Sequence, residues 1–188
     1  LLPDTRPNLH IFDDGVCNGC AGSKSKLVID WEAREKKFRQ LVDKVREEDN
    51  DYDCVIPVSG GKDSTWQVLK CLEYGLKPLA VTWATPARTE IGKANLENLI
   101  AIGVDHIDFR INPKVESRFM LEAFRAHGST AIPMHMAIFQ IPPKVAVAFN
   151  IKLVVWGENP ALEYGGTREE QLTFNLTEEF FRKFGVTS

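Results

Sequence analysis

The apolar run Cys54-Val55-Ile56-Pro57-Val58 passes directly into Ser59-Gly60-Gly61-Lys62-Asp63-Ser64-Thr65, and that into Trp66-Gln67-Val68-Leu69-Lys70-Cys71-Leu72. The first segment reads as a buried strand and the last as a helix. A strand, a Ser/Gly turn and a helix start, taken together, constrain this chain more than any other feature. Two adjacent glycines let backbone N–H groups converge on an anion, and the helix N-terminus adds partial positive charge. Ser59, Ser64 and Thr65 add hydroxyls, Lys62 a cation, and Asp63 a carboxylate able to hold Mg²⁺. The G-x-x-x-x-G-K-[ST] spacing of a Walker A loop is absent.

The same alternation continues downstream. Strands are expected at 53–58, 78–83, 105–111 and 151–156. Helices are expected at 64–74, 93–102 and 114–127, with a fourth, apolar one reaching Asn150 and bent at Pro142-Pro143. Gly75, Gly103 and Gly128 stand at helix ends. Near-continuous apolar strands alternating with helices mean an α/β fold, an open parallel sheet with helices on both faces. In such sheets ligands bind beyond the carboxyl ends of the strands. The loops 59–65, 84–92 and 157–166 therefore share one edge.

Ahead of this domain, residues 1–30 read as an irregular N-terminal extension, and residues 31–50 as an amphipathic helix with Trp31, Ala33, Phe38, Leu41, Val42 and Val45 at helical intervals. Residues 51–188 make up the main domain. The tail from Leu176 to Gly185 reads as a short helix.

With 188 residues, 44% of them hydrophobic, the chain can bury one sizeable core. A formal charge of −3 argues against a nucleic-acid partner. No apolar run is long enough to span a bilayer and no secretory leader pattern opens the chain, so a cytoplasmic protein without membrane insertion is expected. Homo-oligomerisation is left open. Cys54 and Cys71 fall in a strand and on a helix face, as buried small side chains do. Cys17 and Cys20 form a C-x-x-C in a polar turn, a spacing that suits two thiolates on one zinc ion, with His10 as a third candidate.

On the binding edge, the backbone around Thr82 and Trp83 is placed to rim an adenine. Arg88, in an otherwise uncharged stretch, is either a surface residue or a partner for a phosphate or a substrate carboxylate. Gly157 permits close approach to phosphate, Glu158 adds a second carboxylate for Mg²⁺, and Asn159 a hydrogen-bond donor. Glu163 and Tyr164 are candidates for the substrate side. His135 enters an apolar helix, where a histidine is more often a cap or core residue than a catalyst. His106 and His127 read as structural or exposed.

The Val58–Thr65 loop resembles the SGGxDS loop of the PP-loop ATP pyrophosphatases, enzymes with a Rossmann-like, adenine nucleotide α-hydrolase-like fold that split ATP into AMP and pyrophosphate. A wider set of blocks resembles one branch, the bacterial N-acetyl sugar amidotransferases of lipopolysaccharide O-antigen and flagellin-glycan synthesis. These blocks are Phe12–Cys20, Thr82-Trp83-Ala84-Thr85-Pro86-Ala87-Arg88-Thr89-Glu90, Asn95–Leu99, Pro133-Met134-His135 and Trp156-Gly157-Glu158-Asn159-Pro160 with Glu163–Gly166. The resemblance implies ATP and Mg²⁺ bound by Val58, Ser59, Gly60, Gly61, Lys62, Asp63, Ser64, Thr65, Thr82, Trp83, Arg88, Gly157, Glu158 and Asn159. Catalytic roles would fall to Lys62, Asp63, His135, Glu158 and Glu163. It also implies a structural zinc, of which Cys17 and Cys20 are half the ligands; the second Cys pair would stand just before a segment like Leu1–Thr5. Family members run on beyond a segment like Gly185–Thr187. No glutaminase nucleophile is legible, so ammonia is expected from a separate glutaminase subunit, and the substrate is expected to be a nucleotide-linked N-acetyl sugar. Two other readings stand beside this one: a PP-loop enzyme that thiolates tRNA, and a non-catalytic nucleotide-binding subunit.

Overall fold

The computed structural model describes residues 11–25, 27 and 29–157. The described residues up to Phe38 belong to one unit, and Arg39–Gly157 to another. In the first unit Cys17 leads into helix α1 (Asn18–Ser25), and Ile11 bridges Cys17. A helix at this place differs from the irregular extension expected. The turn formers Asp13, Asp14 and Gly15 end before it, with the Val16 N–H bonded to Asp14 Oδ1 at 2.9 Å. The other calls on residues 1–10, including His10, lie outside the described residues, as do those on residues 158–188.

Helix α2 (Trp31–Arg46) starts where Asp30 Oδ1 accepts the Ala33 N–H at 2.8 Å. It buries Val42 and Val45, while Trp31 stays exposed. The second unit then alternates: β1 (Cys54–Pro57), α3 (Lys62–Glu73), β2 (Pro78–Trp83), α4 (Glu90–Ile100), β3 (Asp105–Phe109), α5 (Pro113–His127) and α6 (Ala131–Ala148). The strands form a parallel sheet in the order β1-β2-β3. Helix α3 closes with the Leu76 N–H on Cys71 O and the Gly75 N–H on Leu72 O, the paired bonds of a Schellman end. Helix α4 opens on Thr89, whose hydroxyl accepts the Gly92 N–H, and α5 on Asn112, whose amide oxygen accepts the Lys114 N–H.

Alternation along the strands sorts the core into two layers. Val55, Leu79, Val81 and Trp83 pack with Ala137, Ile141 and Val145 of α6. Cys54 lies on the opposite face, where its thiol meets Cys71 of α3. Both cysteines are buried, as expected. That contact and burial push the Cys54 thiol well up, so Cys54 sits as neutral core. Helix α6 runs through Pro142 and Pro143, each of which removes one intrahelical donor.

The strand expected at 151–156 is reduced to a single bridge, Val55 to Val154, parallel to β1 on the side away from β2. The Val55 N–H bonds Leu153 O and the Val155 N–H bonds Val55 O, both at 2.9 Å. The next rung of a parallel ladder would run from the N–H of residue 57 to Val155 O. Residue 57 is proline and has no N–H, so the ladder stops there. The order across the sheet is nevertheless clear: segment 151–155, β1, β2, β3. The chain moves one way from β1 to β3 and then returns through α6 to the other side of β1. Right-handed crossovers accordingly put α3 and α4 on one face and α6 on the other. This is the doubly wound, Rossmann-like arrangement, and its strand order reverses between β1 and segment 151–155. No helix of the described residues is long and apolar enough to cross a membrane.

Candidate functional site

In an open sheet of this kind the ligand crevice is expected beyond the carboxyl end of β1, at the reversal of strand order. The Ser59–Thr65 loop lies on one side of that point and Gly157 on the other. Helix α3 begins at Lys62, two residues earlier than its periodicity predicts. Lys62, Asp63 and Ser64 therefore occupy its first turn, where backbone N–H groups have no intrahelical acceptor. Gly61 at the N-cap is extended and supplies no side-chain cap. Meanwhile the loop hydroxyls bond inward. Ser64 Oγ donates to Gly61 O at 3.1 Å and accepts the Ser59 N–H at 3.3 Å. Thr65 Oγ1 donates to Gly61 O at 3.0 Å, and Ser59 Oγ accepts the Gly61 N–H at 3.3 Å. The side chains thus brace the loop and leave the first-turn amides for an anion.

Gly60 is obligatory here for two reasons. Its φ is +79°, and a Cβ would lie 2.7 Å from Leu96 N and 3.0 Å from Asn95 C. The backbone of α4 fills the space a side chain would need. Lys62 Nζ and Asp63 Oδ1 pair at 2.6 Å with both side chains largely exposed, and such a pair opens at little cost. Asp63 in the first turn also suits the helix dipole. A lone carboxylate fits Mg²⁺, which takes one or two from protein and the rest from phosphate and water.

At the β2 edge the side chains of Thr82 and Trp83 are engaged within the fold. Thr82 is buried, and its hydroxyl donates to Val58 O at 2.8 Å, tying the end of β1 to β2 just before the loop. That bond uses the only hydroxyl proton, so His106 Nε2, 3.0 Å away, is the donor to Thr82 Oγ1. The Trp83 side chain turns into the core, its Nε1–H bonded to buried Glu116 at 2.9 Å. Only its backbone is available on the edge, and there Trp83 O accepts from Arg88 at 3.2 Å. Arg88 grips Asp108 with both terminal nitrogens at 2.9 and 2.7 Å. Its guanidinium is thus paired with β3 in this structure. That ion pair was invisible in sequence because its partner lies twenty positions away, on the next strand.

Gly157 does reach the crevice, but the neighbour that needs it small is Gln67 of α3. A Cβ on Gly157 would lie 2.8 Å from Gln67 Oε1. Gln67 was not among the residues singled out by sequence. Its legible signal was an amide in helical register with Ser64, Val68 and Cys71 on the inward face of α3. His135 is exposed in the first turns of α6. That end of α6 faces the carboxyl edge, because its other end leads into segment 151–155 and Phe139 meets Trp156 at 5.4 Å. Glu158, Asn159, Glu163 and Tyr164 lie outside the described residues.

In the first unit, Cys17 Sγ accepts the Cys20 N–H at 3.4 Å, and bonds from Cys20 hold the Cys17 thiol below its ordinary range. Two sulfurs would fill only half of a zinc tetrahedron. Among the described residues no group of three or more His, Cys, Asp or Glu is placed to hold a metal.

No protein-family model matches the chain, and no curated protein matches it. Among solved structures it is similar to an NMN synthetase from Francisella tularensis, at 20% identity over 67% of this chain and 55% of that one, with a TM-score of 0.48. It is also similar to an NH3-dependent NAD synthetase from Campylobacter jejuni, in complex with nitrate ion, at 19% identity over 71% of this chain and 58% of that one, with a TM-score of 0.47. The chain thus matches little more than half the length of either protein, and likeness at this level assigns no activity.

Gly60→Ala is expected to cost about 2 kcal/mol, through strain at positive φ and the clash with α4, read as a lower urea midpoint. Burial holds His106 below its ordinary pKa. The stability due to keeping it neutral is full above the unfolded value near 6.5 and is lost as pH falls through the lower folded value. Urea titrations across that window should show a shallower acid-side loss in His106→Gln than in wild type.

Proposed function

We propose that the protein is an ATP-dependent amidotransferase that converts the acetamido group of a nucleotide-linked N-acetyl sugar to an acetamidino group, releasing AMP and pyrophosphate. The observation that carries this reading is the uncapped first turn of α3, set behind Gly60 and Gly61 at the reversal of strand order. The acceptor is inferred from the blocks Thr82–Glu90, Pro133–His135 and Trp156–Gly166, which resemble the sugar amidotransferases.

An amide carbon is a poor electrophile, and its oxygen a poor leaving group. ATP as substrate solves both problems. The acetamido oxygen attacks the α-phosphorus and the bond to the β-phosphate oxygen breaks, so pyrophosphate leaves and an O-adenylyl imidate remains. Ammonia adds to the imidate carbon and loses a proton, and AMP departs with the original oxygen. The first-turn amides of Lys62, Asp63 and Ser64 hold the departing pyrophosphate. The Lys62 ammonium swings from Asp63 toward the developing charge, and Asp63 holds Mg²⁺. When bound, Mg²⁺ screens the phosphate oxygens. His135, on the same edge, is left to orient the sugar or move protons, roles in which the sequence also offers Glu158 and Glu163. The two cysteines outside the C-x-x-C are buried core, which supports ammonia delivery by a separate glutaminase subunit.

Protein mixed with ATP, Mg²⁺, ammonium and a nucleotide-linked N-acetyl sugar should yield AMP, pyrophosphate and a sugar with the mass change of an O-to-NH exchange. Asp63→Asn should slow AMP release roughly 100-fold. Absence of AMP with every such sugar would sink the proposal.

A further inference from the structure

The Pro57 break in the ladder leaves Val155 O without its backbone donor, and Gln67 supplies the replacement. Its Nε2 donates to Val155 O at 2.7 Å, from a helix that is not part of the sheet. The bond fixes the amide orientation, because Nε2 must face the carbonyl. Oε1 is then turned toward Gly157, where the space for a Cβ lies 2.8 Å from Oε1 and 3.4 Å from Cδ. Gln67 is 6% exposed, and its Oε1 is buried with no hydrogen-bond partner among the described residues. A buried unpaired amide oxygen is costly, and that cost is set against the donor Gln67 gives to Val155 O. The amide is therefore explained by what it holds: Gln67 lies five residues after Lys62, the first residue of the phosphate-facing turn, and clasps the far wall of the same crevice.

We propose that Gln67 is a positioning residue for the nucleotide, setting the Gly157 wall at a fixed distance from the first turn of α3. This rests on the nucleotide reading above. The pyrophosphate half of ATP needs only the α3 turn and the glycine loop. With the adenine on the β2 side, the α-phosphate and ribose reach past that turn toward Gly157, so loss of the clasp acts on ATP and spares pyrophosphate. That split separates positioning from general loosening, which would weaken both ligands together.

The test is calorimetric titration of the full chain with Mg·ATP and, separately, with Mg·pyrophosphate. Gln67→Leu is expected to weaken ATP about tenfold, the size of effect of one lost positioning hydrogen bond, and to leave pyrophosphate within about twofold. Gln67→Glu keeps the shape and the acceptor but loses the donor to Val155 O, and should reproduce the split if Gln67→Leu does not fold. Gly157→Ala should weaken ATP in wild type but add little in a Gln67→Ala background, where the clash is gone. Equal weakening of both ligands, or unchanged ATP affinity in folded Gln67→Leu and Gln67→Glu, overturns the inference alone. Wild-type protein that binds neither ligand overturns the nucleotide reading and this inference with it.

Discussion

The handedness of chain crossovers is the constraint on which the rest of this structure depends. A right-twisted strand feeding a helix packs back onto its sheet in one hand only. Because β1, β2 and β3 follow each other in one direction, α3 and α4 must share a face. Because segment 151–155 returns to the far side of β1, α6 must take the other. Two chain segments therefore part company at the end of β1. The place this topology reserves for a ligand is bounded by the start of α3, whose positive end faces it, and by Gly157.

The side chains instead make the crevice rigid. Val58 O is held by Thr82, and Thr82 by His106. Gly60 lies against the backbone of α4. Gly61 O gathers bonds from Ser64 and Thr65. Each contact pins a loop atom from a different element, so the first-turn amides are oriented before any ligand arrives. Preorganised donors of this kind stabilise charge without reorganising at the moment of reaction.

Most of the fold was legible because burial writes itself into sequence. Pro78–Trp83 is apolar on both faces and is a strand over those residues. Pro113 and Gly128 mark the ends of α5 by backbone chemistry alone. What escaped the sequence was set by contacts between distant residues. Segment 151–156 has a strand composition, yet its ladder depends on the donor at position 57, which is proline. Arg88 gives no sign of Asp108, and Trp83, placed on the ligand edge by its position, turns inward to Glu116. Gly157 was read as a place of close approach to phosphate, and the neighbour the fold brings against it is Gln67 of α3. The phosphate loop was the easiest part to read because its determinants are contiguous. The remainder of the edge is assembled from strands that meet only in the folded chain.

The central claim is that the amides at the start of α3 receive the phosphates of a nucleotide. Amide ¹H–¹⁵N correlation spectra recorded during titration with Mg·ATP test it at those atoms. The account predicts that the largest shifts fall on Gly60, Gly61, Lys62, Asp63 and Ser64, with Gly103 and Gly128, at the ends of other helices, unmoved. Saturable shifts centred on any other part of the chain, with the Gly60–Ser64 amides unchanged, would contradict it.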